Sequence, residues 1–550
     1  MLRDSADGLF STSSAAESIE PDTQINRPFS DIGSILSTLR CMQVPDFGYV
    51  SDSLSDAKKD LCRIDGQIKK LEAELIALRM EHKVMRWRVF RLKSLLAPIR
   101  KLPPEALAVV FEFFCSEGGQ VVGDRILSAP LKIASVCSGW RELARSMPRL
   151  WSSFHIDFFL GSDSVSLENL RRFISTHLEL SQHCLLDLNV AFNKLPETEI
   201  VDFIFESFIP NANRWRNVSF RLPVETFLEQ NLAPIKGNLP QLRSLSLRLD
   251  GWDTIDFPFC DVFSVAPSLQ TLRLTYGAST QLRLPWKQIL DHTIQFSSLI
   301  TALREVFLAT EATHITIIRC THLKSASVPL SITTHRLRWL SIAVDRDDPD
   351  FYYWFKWLTL PSLEHLDISG IEARPPESSE YIGEYLSSFL SRSTCMITTL
   401  SLVNLSISDV DTISILSSLT SLSTLTIHEL CKSGATNKMI TTSLLNALTI
   451  VEFDKGFSHT KTKNCQHLEH LDLRFHSTLS AKCVIDVVDS RWIPVPKYAA
   501  LLGVSSLKSV RIQVLVSRDR TEFDMQKLDG AMEVFKVAGL RFHSSQKLLI

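Results

Sequence analysis

The hexapeptide Leu422-Ser423-Thr424-Leu425-Thr426-Ile427 is one copy of a short string that decides the fold of this chain. In each copy, an apolar residue is followed three and five positions later by two further apolar residues. Residues two apart in a strand point to the same side, so each copy predicts a short strand with one buried face. The copies begin at Trp151, Leu185, Trp215, Leu242, Leu269, Leu303, Leu337, Leu363, Ile397, Leu422, Leu445, Leu468 and Leu507.

The spacing of the copies indicates a repeat architecture. Many neighbouring starts are between 23 residues (445 minus 422) and 34 residues (185 minus 151) apart. A further copy begins at Leu323, so close to Leu337 that one of the two is interpreted as an added strand. Helix-like stretches separate the copies, for example 200–208, 381–390 and 410–419. Strand and helix in alternation at this period predict an α/β repeat solenoid, irregular in register and curved as an arc or horseshoe.

A helical stripe near the end of the chain has a separate meaning. Leu528, Met532 and Phe535 recur at helical spacing after the last copy. Terminal repeats need a cover for their outer face, so this stripe predicts a C-terminal capping helix.

A short helical segment stands before the first copy. Leu102-Pro103-Pro104-Glu105 predicts a helix start, because proline suits the first helical turn and glutamate suits the positive end of the helix dipole. The helix is expected to run to about Cys115 and is apolar nearly all round. A second apolar segment, 130–148, is also predicted to be helical. Two such helices carry more apolar surface than a small unit buries alone, so a partner or the rest of the chain is expected to cover them.

The residues of this segment resemble the F-box, a short helical module that docks onto a Skp-type adaptor. The resemblance covers about a tenth of the chain and includes Pro148, Leu150 and Trp151 at its end. Its remaining elements occur in the family's order and, as the resemblance implies, would contact the adaptor or form the module's own core: Leu102, Pro103, Leu107, Phe111, Val136, Cys137 and Trp140. Segment 116–129 is then expected to be a long loop between the two helices.

An F-box followed by degenerate leucine-rich repeats resembles the F-box proteins of the leucine-rich type. The resemblance implies the substrate-recognition subunit of an SCF-type (Skp–cullin–F-box) ubiquitin ligase. The module would hold the adaptor and through it a cullin, and the repeats would hold a protein target. A separate RING component would supply the chemistry, so the chain itself would not be an enzyme. The alternative is an F-box and leucine-rich-repeat scaffold that is not linked to ubiquitination.

A heptad pattern precedes the module. Between Leu54 and Leu96, apolar residues alternate in steps of three and four, which is typical of a coiled-coil helix. Two interpretations stay open, self-association through 54–96 and a long helix whose stripe lies against the same chain. The helix is basic from Lys83 to Lys101. A solvated face is preferred over a nucleic-acid site, because aromatic residues that would stack on bases are mostly lacking there.

The overall composition limits the class of protein and the kinds of partner that can be expected. The chain has 550 residues, 45% of them hydrophobic and 22% charged, with a formal net charge of -2. Near-neutrality gives no general attraction to nucleic acid or to an anionic membrane. The 11 cysteines are scattered singly, which fits a reducing cytoplasm or nucleus. The expected organisation is a disordered Ser/Asp-rich tail (1–53), a long helix (54–96), an F-box-like domain (97–151) and a leucine-rich-repeat-like domain with its cap (152–550).

The side chains that flank the inward residues of each predicted strand should form a polar strip on the outer, concave face. The strip comprises Asn217, Ser219, Ser244, Ser246, Thr271, Arg273, Trp339, Ser341, His365, Asp367, Thr399, Ser401, Thr424, Thr426, His470, Asp472, Ser509 and Arg511. Trp339, Arg273 and Arg511 are the expected anchors for a protein target, because Trp and Arg dominate binding hot spots.

The sequence contains no catalytic signature. The string Leu-Glu-His-Leu-Asp occurs twice, ending at Asp367 and Asp472 and including His365 and His470. One His with one Asp supplies too few ligands for a metal site. Phosphate-binding loops, dinucleotide fingerprints and nucleophile elbows are missing from the sequence. No cofactor, metal or catalytic residue is therefore predicted.

Overall fold

The computed structural model describes residues 37, 47–116, 118–122, 125–158, 166–193, 196–229, 232–250, 260–275, 282–320, 332–345, 352–371, 382–432, 435–450, 464–495, 497–499, 503–516 and 523–549. The chain divides into two compact units, Met1–Leu102 and Pro103–Ile550.

The N-terminal unit contains one long helix, α1 (Phe47–Leu95), followed by a 3₁₀ turn at Pro98–Lys101. Its sequence is rich in Leu, Lys, Glu and Arg, which are good helix formers. The helix ends where Ala97 takes an extended conformation before Pro98, as a residue preceding proline prefers. Residues 47–53, which were assigned to the disordered tail, are helical. The rest of that predicted tail, apart from residue 37, lies outside the described residues.

The second unit begins with a helical module, defined here as 104–151. It comprises α2 (Pro104–Phe114), α3 (Ala129–Ala134), α4 (Ser138–Arg145) and a 3₁₀ turn at Pro148–Trp151. The predicted first helix is confirmed. The second predicted segment is two helices, because Cys137 has extended backbone angles and its Sγ accepts a hydrogen bond from the Trp140 N–H, starting a new helix.

The prediction that residues 116–129 form a loop is wrong. Two antiparallel strands, β1 (Gly119–Val122) and β2 (Arg125–Ser128), occupy most of it, and β1 also pairs in parallel with β3. The two strands form because apolar side chains in this segment have a core to pack on. Val121 is fully buried against the sheet core, and its strand partner Ile126 packs on the same cluster. The module is thus joined to the sheet by backbone hydrogen bonds.

The remaining strands follow in sequence, and the longer ones form one sheet with β1 and β2. The strands are β3 (Ser153–Phe158), β4 (Leu186–Phe192), β5 (Trp215–Pro223), β6 (Ser244–Asp250), β7 (Thr271–Thr275), β8 (Asp291–Gln295), β9 (His314–Ile318), β10 (Ile332–Thr333), β11 (Trp339–Val344), β12 (Leu358–Thr359), β13 (His365–Gly370), β14 (Thr399–Val403), β15 (Thr424–His428), β16 (His470–His476), β17 (Ser509–Val516) and β18 (Arg541–Leu548).

The strand order follows the chain order. The sheet has 16 strands, in the order β18-β17-β16-β15-β14-β13-β11-β9-β8-β7-β6-β5-β4-β3-β1-β2, and only β1 with β2 is antiparallel. β10 and β12 form a separate parallel pair. The fold is therefore α/β, with a long N-terminal helix and a large, mostly parallel sheet.

Helices connect many of the strands, as parallel pairing requires. They are α5 (Leu167–Leu180), α6 (Thr198–Phe208), α7 (Val224–Glu229), α8 (Leu299–Leu308), α9 (Tyr353–Trp357), α10 (Ile382–Ser393), α11 (Asp409–Ser418), α12 (Thr442–Leu448), α13 (Ala481–Arg491) and α14 (Met525–Val537). No described helix is both long enough and apolar enough to cross a membrane.

The core lies between one face of the sheet and these helices. The inward residues of neighbouring strands stand in register; Leu245 pairs with Leu272, and Leu366 pairs with Leu400. Buried residues of the sheet and helices form two large clusters, one running from Val121 to Ile289 and the other from Ile294 to Leu540. A third, smaller cluster fills the helical module.

Most predicted strings lie on strands, and two do not. The strings starting at Leu303 and Leu445 lie in α8 and α12, because apolar residues three apart also match the stripe of a helix. β8 was missed because His292 occupies the position that other strands give to an apolar residue. The string starting at Leu323 lies outside the described residues.

The predicted capping helix is α14, in which Leu528 and Met532 are buried. It is not the last element. β18 follows it and pairs in parallel with β17, so a strand forms this edge of the sheet.

Candidate protein-binding surfaces

The helical module has a compact inner core. Phe111 and Leu107 of α2 are buried, and the Phe111 ring meets Trp140 edge-on with centroids 5.0 Å apart. The Trp151 Nε1–H donates to the Ala144 carbonyl at 2.8 Å, which fixes the 3₁₀ turn against α4. The module's inner side is thus fully used for packing.

The outer side of the module is apolar and uncovered in the described part of the chain. On α2, Phe113 is 86% exposed and Phe114 is 58% exposed. Val109 and Val110, one turn earlier, are also exposed, and spacings of three and four place the four side chains on one continuous face. Val136, after α3, is 54% exposed. Single exposed apolar residues are ordinary on protein surfaces, but a cluster of this kind marks an interaction site.

The predicted adaptor-contact residues fall into distinct groups. Leu107 and Phe111 belong to the module core, while Pro103 and Val136 are exposed. Cys137 and Trp140 are half-buried, the first as the cap of α4 and the second against Phe111. A seventh, Leu102, lies in the N-terminal unit and is exposed there. Phe113 and Phe114 were not singled out from the sequence as adaptor contacts, although a helix that is apolar nearly all round was the available signal.

A buried histidine joins the module to the sheet. His177 on α5 is fully buried, and its Nδ1–H donates to the Phe173 carbonyl at 2.9 Å. Its Nε2 lies 3.1 Å from Ser128 Oγ, whose oxygen also accepts the Leu131 N–H at the start of α3. Nε2 therefore accepts the Ser128 hydroxyl proton, which requires a neutral ring. Burial lowers the pKa of His177 to about 4, although the bond to Phe173 acts in the opposite direction.

The other face of the sheet carries the predicted polar strip. Strand register aligns its residues in two parallel rows. Row A is Asn217, Ser244, Thr271, Asp291, His314, Trp339, His365, Thr399, Thr424, His470, Ser509 and Arg541. Row B is Ser219, Ser246, Arg273, Thr293, Thr316, Ser341, Asp367, Ser401, Thr426, Asp472, Arg511 and His543. The residues missing from the predicted strip are those of the missed strands β8 and β9 and of β18.

An aromatic ladder occupies the middle of row A. The Trp339 ring stacks on His365 at 4.7 Å and on His314 at 6.0 Å, with interplanar angles of 23° and 25°. Trp339 keeps 38% of its surface exposed. Stacking holds the indole rigid, so little side-chain entropy is lost when a partner covers it. This is the geometry expected of a binding anchor.

The two Leu-Glu-His-Leu-Asp copies lie on β13 and β16. Asp367 accepts the Ser341 hydroxyl at 2.9 Å, so it is held by its row neighbour and not by His365. Asp472 lies between His428 Nε2, at 2.9 Å, and Arg511 Nη1, at 3.5 Å. Neither copy forms an internal His–Asp dyad, because the two residues belong to different rows.

Two depressions mark the ends of the polar face. One, of about 420 Å³, is lined by residues of β15 to β18, including His470, Asp472 and Arg511. The other, of about 300 Å³, lies over β3 to β6 beside the module and includes Ser116, Asp187 and others. Arg273 is exposed in row B and lines neither depression.

Among the described residues, no group of three or more His, Cys, Asp or Glu side chains is arranged to hold a metal ion. Burial raises the pKa of the Cys115 and Cys465 thiols to about 11, which disfavours the reactive thiolate. The polar rows and the apolar module face are both surfaces suited to protein partners.

Comparison with known proteins adds no assignment: no protein-family model matches the chain, and no curated protein matches it.

Proposed function

We propose that this protein is the substrate-recognition subunit of an SCF-type ubiquitin ligase. The helical module would be an F-box-like domain that binds a Skp-type adaptor and through it a cullin. The sheet and its helices would be an irregular leucine-rich-repeat solenoid that binds a protein target. The observation that carries the proposal is the exposed apolar face of α2 on a module whose other side is locked to the sheet.

Three features support this reading. The sequence of the module resembles the F-box in residue order, and exposed Pro103 and Val136 are among the matching positions. The strand order supports a solenoid, because every strand of the sheet from β3 onward pairs with the next sheet strand along the chain. The polar face supports target binding, because its mixture of aromatic, hydroxyl and charged side chains is typical of protein interfaces.

The role of the chain would be positioning and not catalysis. Holding a target on the sheet while the module holds the ligase raises the effective concentration of a target lysine near the conjugating enzyme. Such a protein would work in the cytoplasm, the nucleus or both.

A reciprocal pair of variants tests the proposal. Phe113→Ser with Val136→Ser should abolish capture of a recombinant Skp-type adaptor, since the two side chains would be buried at that interface. Losing their burial costs about 3 kcal/mol together, or about 100-fold in affinity. Trp339→Ala with Arg511→Ala should leave adaptor binding intact and remove the cellular proteins that co-purify with the wild-type chain.

The control for the first variant is Phe307→Ser with Val410→Ser. These residues are similarly exposed, at 58% and 71%, but lie on α8 and α11 and so should not affect the adaptor. Leu107→Ala is unsuitable because Leu107 is a core residue whose loss disturbs folding. A wild-type chain that binds no Skp-type adaptor would refute the proposal. Adaptor binding without recruitment of a cullin would favour the scaffold instead.

A further inference from the structure

The depression of about 420 Å³ over β15 to β18 is the basic end of the polar face. Two arginines line it from adjacent strands, Arg511 in row B of β17 and Arg541 in row A of β18, and both are exposed. His470 and His543 line the same depression. His470 is held in place by Ser509, whose Oγ lies 2.7 Å from the ring Nδ1. Guanidinium and imidazole groups together supply several N–H donors to an acceptor that enters here.

One carboxylate, that of Asp472, lies among these donors. It is already engaged, because His428 Nε2 lies 2.9 Å from its Oδ1 and Arg511 Nη1 lies 3.5 Å from its Oδ2. Arg541 forms no ion pair within the part of the chain that the structure describes. Positive charge therefore exceeds negative charge in the depression, and most guanidinium donors are available to a partner.

The strands beside the depression do not balance this charge. In rows A and B, strands β14 and β15 carry only hydroxyl side chains, which are Thr399, Ser401, Thr424 and Thr426. The apolar anchor Trp339 lies beyond them on β11. The order β11, β13, β14, β15, β16, β17 contains five strand intervals, so Trp339 and Arg511 are about 24 Å apart along the sheet.

The arrangement of the two arginines suits two separate carboxylates better than one phosphate. Because Arg541 pairs with Ser509, it stands one strand and two residues away from Arg511, or about 8 Å. Side chains two positions apart in an extended peptide point to the same side at a spacing of about 7 Å. A phosphate dianion would place two negative charges on Arg511 beside Asp472, which repels it more than it repels a carboxylate.

We infer that the basic end of the polar face binds an acidic, unphosphorylated segment of the protein target. The segment would be extended, with two carboxylate side chains two positions apart facing Arg511 and Arg541. An apolar side chain about seven residues away would cover Trp339, because seven extended residues span about 24 Å. This target chemistry deepens the proposed function and rests on it, since the sheet must first be a surface that binds a protein.

Fluorescence anisotropy of the full-length chain with labelled synthetic peptides provides the test. The first probe has ten residues, with leucine at position 1, glutamate at positions 8 and 10, and serine elsewhere. A second probe has the same residues in reverse order, because the direction of the segment is open. The wild-type chain should bind at least one probe. Arg511→Gln with Arg541→Gln should weaken that binding about tenfold, which is the combined effect of two exposed ion pairs.

The matched control is Arg304→Gln with Lys482→Gln. It removes the same two positive charges from exposed positions on α8 and α13, on the helix side of the sheet. Binding of the glutamate probe should be unchanged in this control. A probe with glutamine in place of both glutamates should bind the wild-type chain about tenfold more weakly than the glutamate probe does.

Three results would overturn the inference. The first is a wild-type chain that binds neither glutamate probe, and the second is equal binding of the glutamine probe. The third is tighter binding of a probe with phosphoserine at position 8, which would identify a phosphate as the preferred group. Adaptor capture is measured separately through Phe113→Ser with Val136→Ser, so failure here is distinct from failure of the proposed function.

Discussion

At the scale of single residues, His177 is where the module meets the sheet. Its ring contacts three aromatic neighbours: Trp151 at 5.1 Å, Phe154 at 5.8 Å and Phe173 at 4.3 Å between centroids. Gly119 passes so close that a Cβ there would lie 2.8 Å from His177 Nε2. Glycine is therefore required at that position, because any larger residue would displace the ring that joins α3, α5 and β2.

The neutral state of His177 makes the junction sensitive to acid. The pKa of His177 is 6.5 in the unfolded chain and about 4 in the folded one. The stability that the neutral ring contributes is therefore complete above pH 6.5 and is lost as pH falls toward 4. The shift corresponds to about 3 kcal/mol. We expect urea unfolding at pH 7.5 and pH 4.5 to show that the advantage of wild type over His177→Gln shrinks by most of this amount.

The pH dependence of stability is measured as a difference between wild type and His177→Gln, because Glu429 changes the stability of both proteins with pH in the opposite direction to His177. Burial raises the pKa of Glu429 to about 7, although three backbone N–H groups at 438–440 donate to its carboxylate. Its contribution is therefore lost as pH rises from 4.5 to about 7. A difference between wild type and His177→Gln that does not change with pH would contradict the neutral assignment of His177.

The sequence contained no indication of the roles of His177 and Glu429. A single histidine on an apolar helix stripe gives no indication of what it contacts, and His177 gains its role only when β2, 49 positions earlier in the chain, supplies Ser128. Trp339 and Arg511 were identified because alternation along a strand is a local property. Their neighbours His314 and Arg541 were missed with the strands that carry them.

At the scale of elements, β8 is an exception among the inward-facing rows. His292 stands in register with Leu272 and Ile315, and both it and its partner Glu305 on α8 are almost completely buried. The ring Nδ1–H donates to the Leu272 carbonyl at 3.1 Å, and Nε2 lies 2.7 Å from Glu305 Oε2. A hydrogen bond thus joins a ring nitrogen to a carboxyl oxygen inside an apolar core.

Removing one member of this pair should cost more than removing both. Glu305→Ala leaves the ring nitrogen without a partner, and breaking a buried pair costs about 3 to 5 kcal/mol. His292→Leu with Glu305→Leu restores the apolar row and should recover most of that loss. The measurement is the urea midpoint of the three proteins at pH 7.5. A double variant that is no more stable than Glu305→Ala would show that the pair contributes net stability.

The strand prediction succeeded where the string coincided with inward packing and failed where the same spacing served another element. Leu366 with Ile368, and Leu471 with Leu473, are buried strand residues as predicted. Leu303 and Val306 occupy the first two apolar positions of the same string, three residues apart, but belong to a helix stripe. A spacing of three residues fits both a strand string and a helix stripe, so only the sequence on either side could decide between a strand and a helix.

At the scale of the whole second unit, one continuous sheet covers two separate apolar clusters. The first ends at Ile289 and the second begins at Ile294, on either side of His292. Trp286 is the partly buried residue that packs against both clusters. Hydrogen bonds between strands therefore continue across a point where apolar packing is interrupted, which divides the unit energetically.

We expect the clusters to lose stability independently. Leu473→Ala removes a fully buried side chain from the second cluster and should cost about 2 to 5 kcal/mol. Hydrogen exchange should then accelerate in β13 to β17 and stay unchanged in β3 to β6. Leu247→Ala, in the first cluster, is the matched variant and should show the reverse. Uniform acceleration in both clusters would mean that the unit unfolds as a single cooperative body.

The strand register of the sheet also gives the molecule a scale of length. Because β1 pairs with β3 and the later strands follow in sequence, each residue of row A lies a whole number of strands from the helical module. Adjacent strands are about 4.8 Å apart, so Trp339, seven strands beyond β3, lies roughly 34 Å away along the sheet. Such a sheet is graduated like a ruler. Gain or loss of one strand and its helix would shift every later strand by one such interval of about 4.8 Å relative to strand β3, without altering the residues of the module.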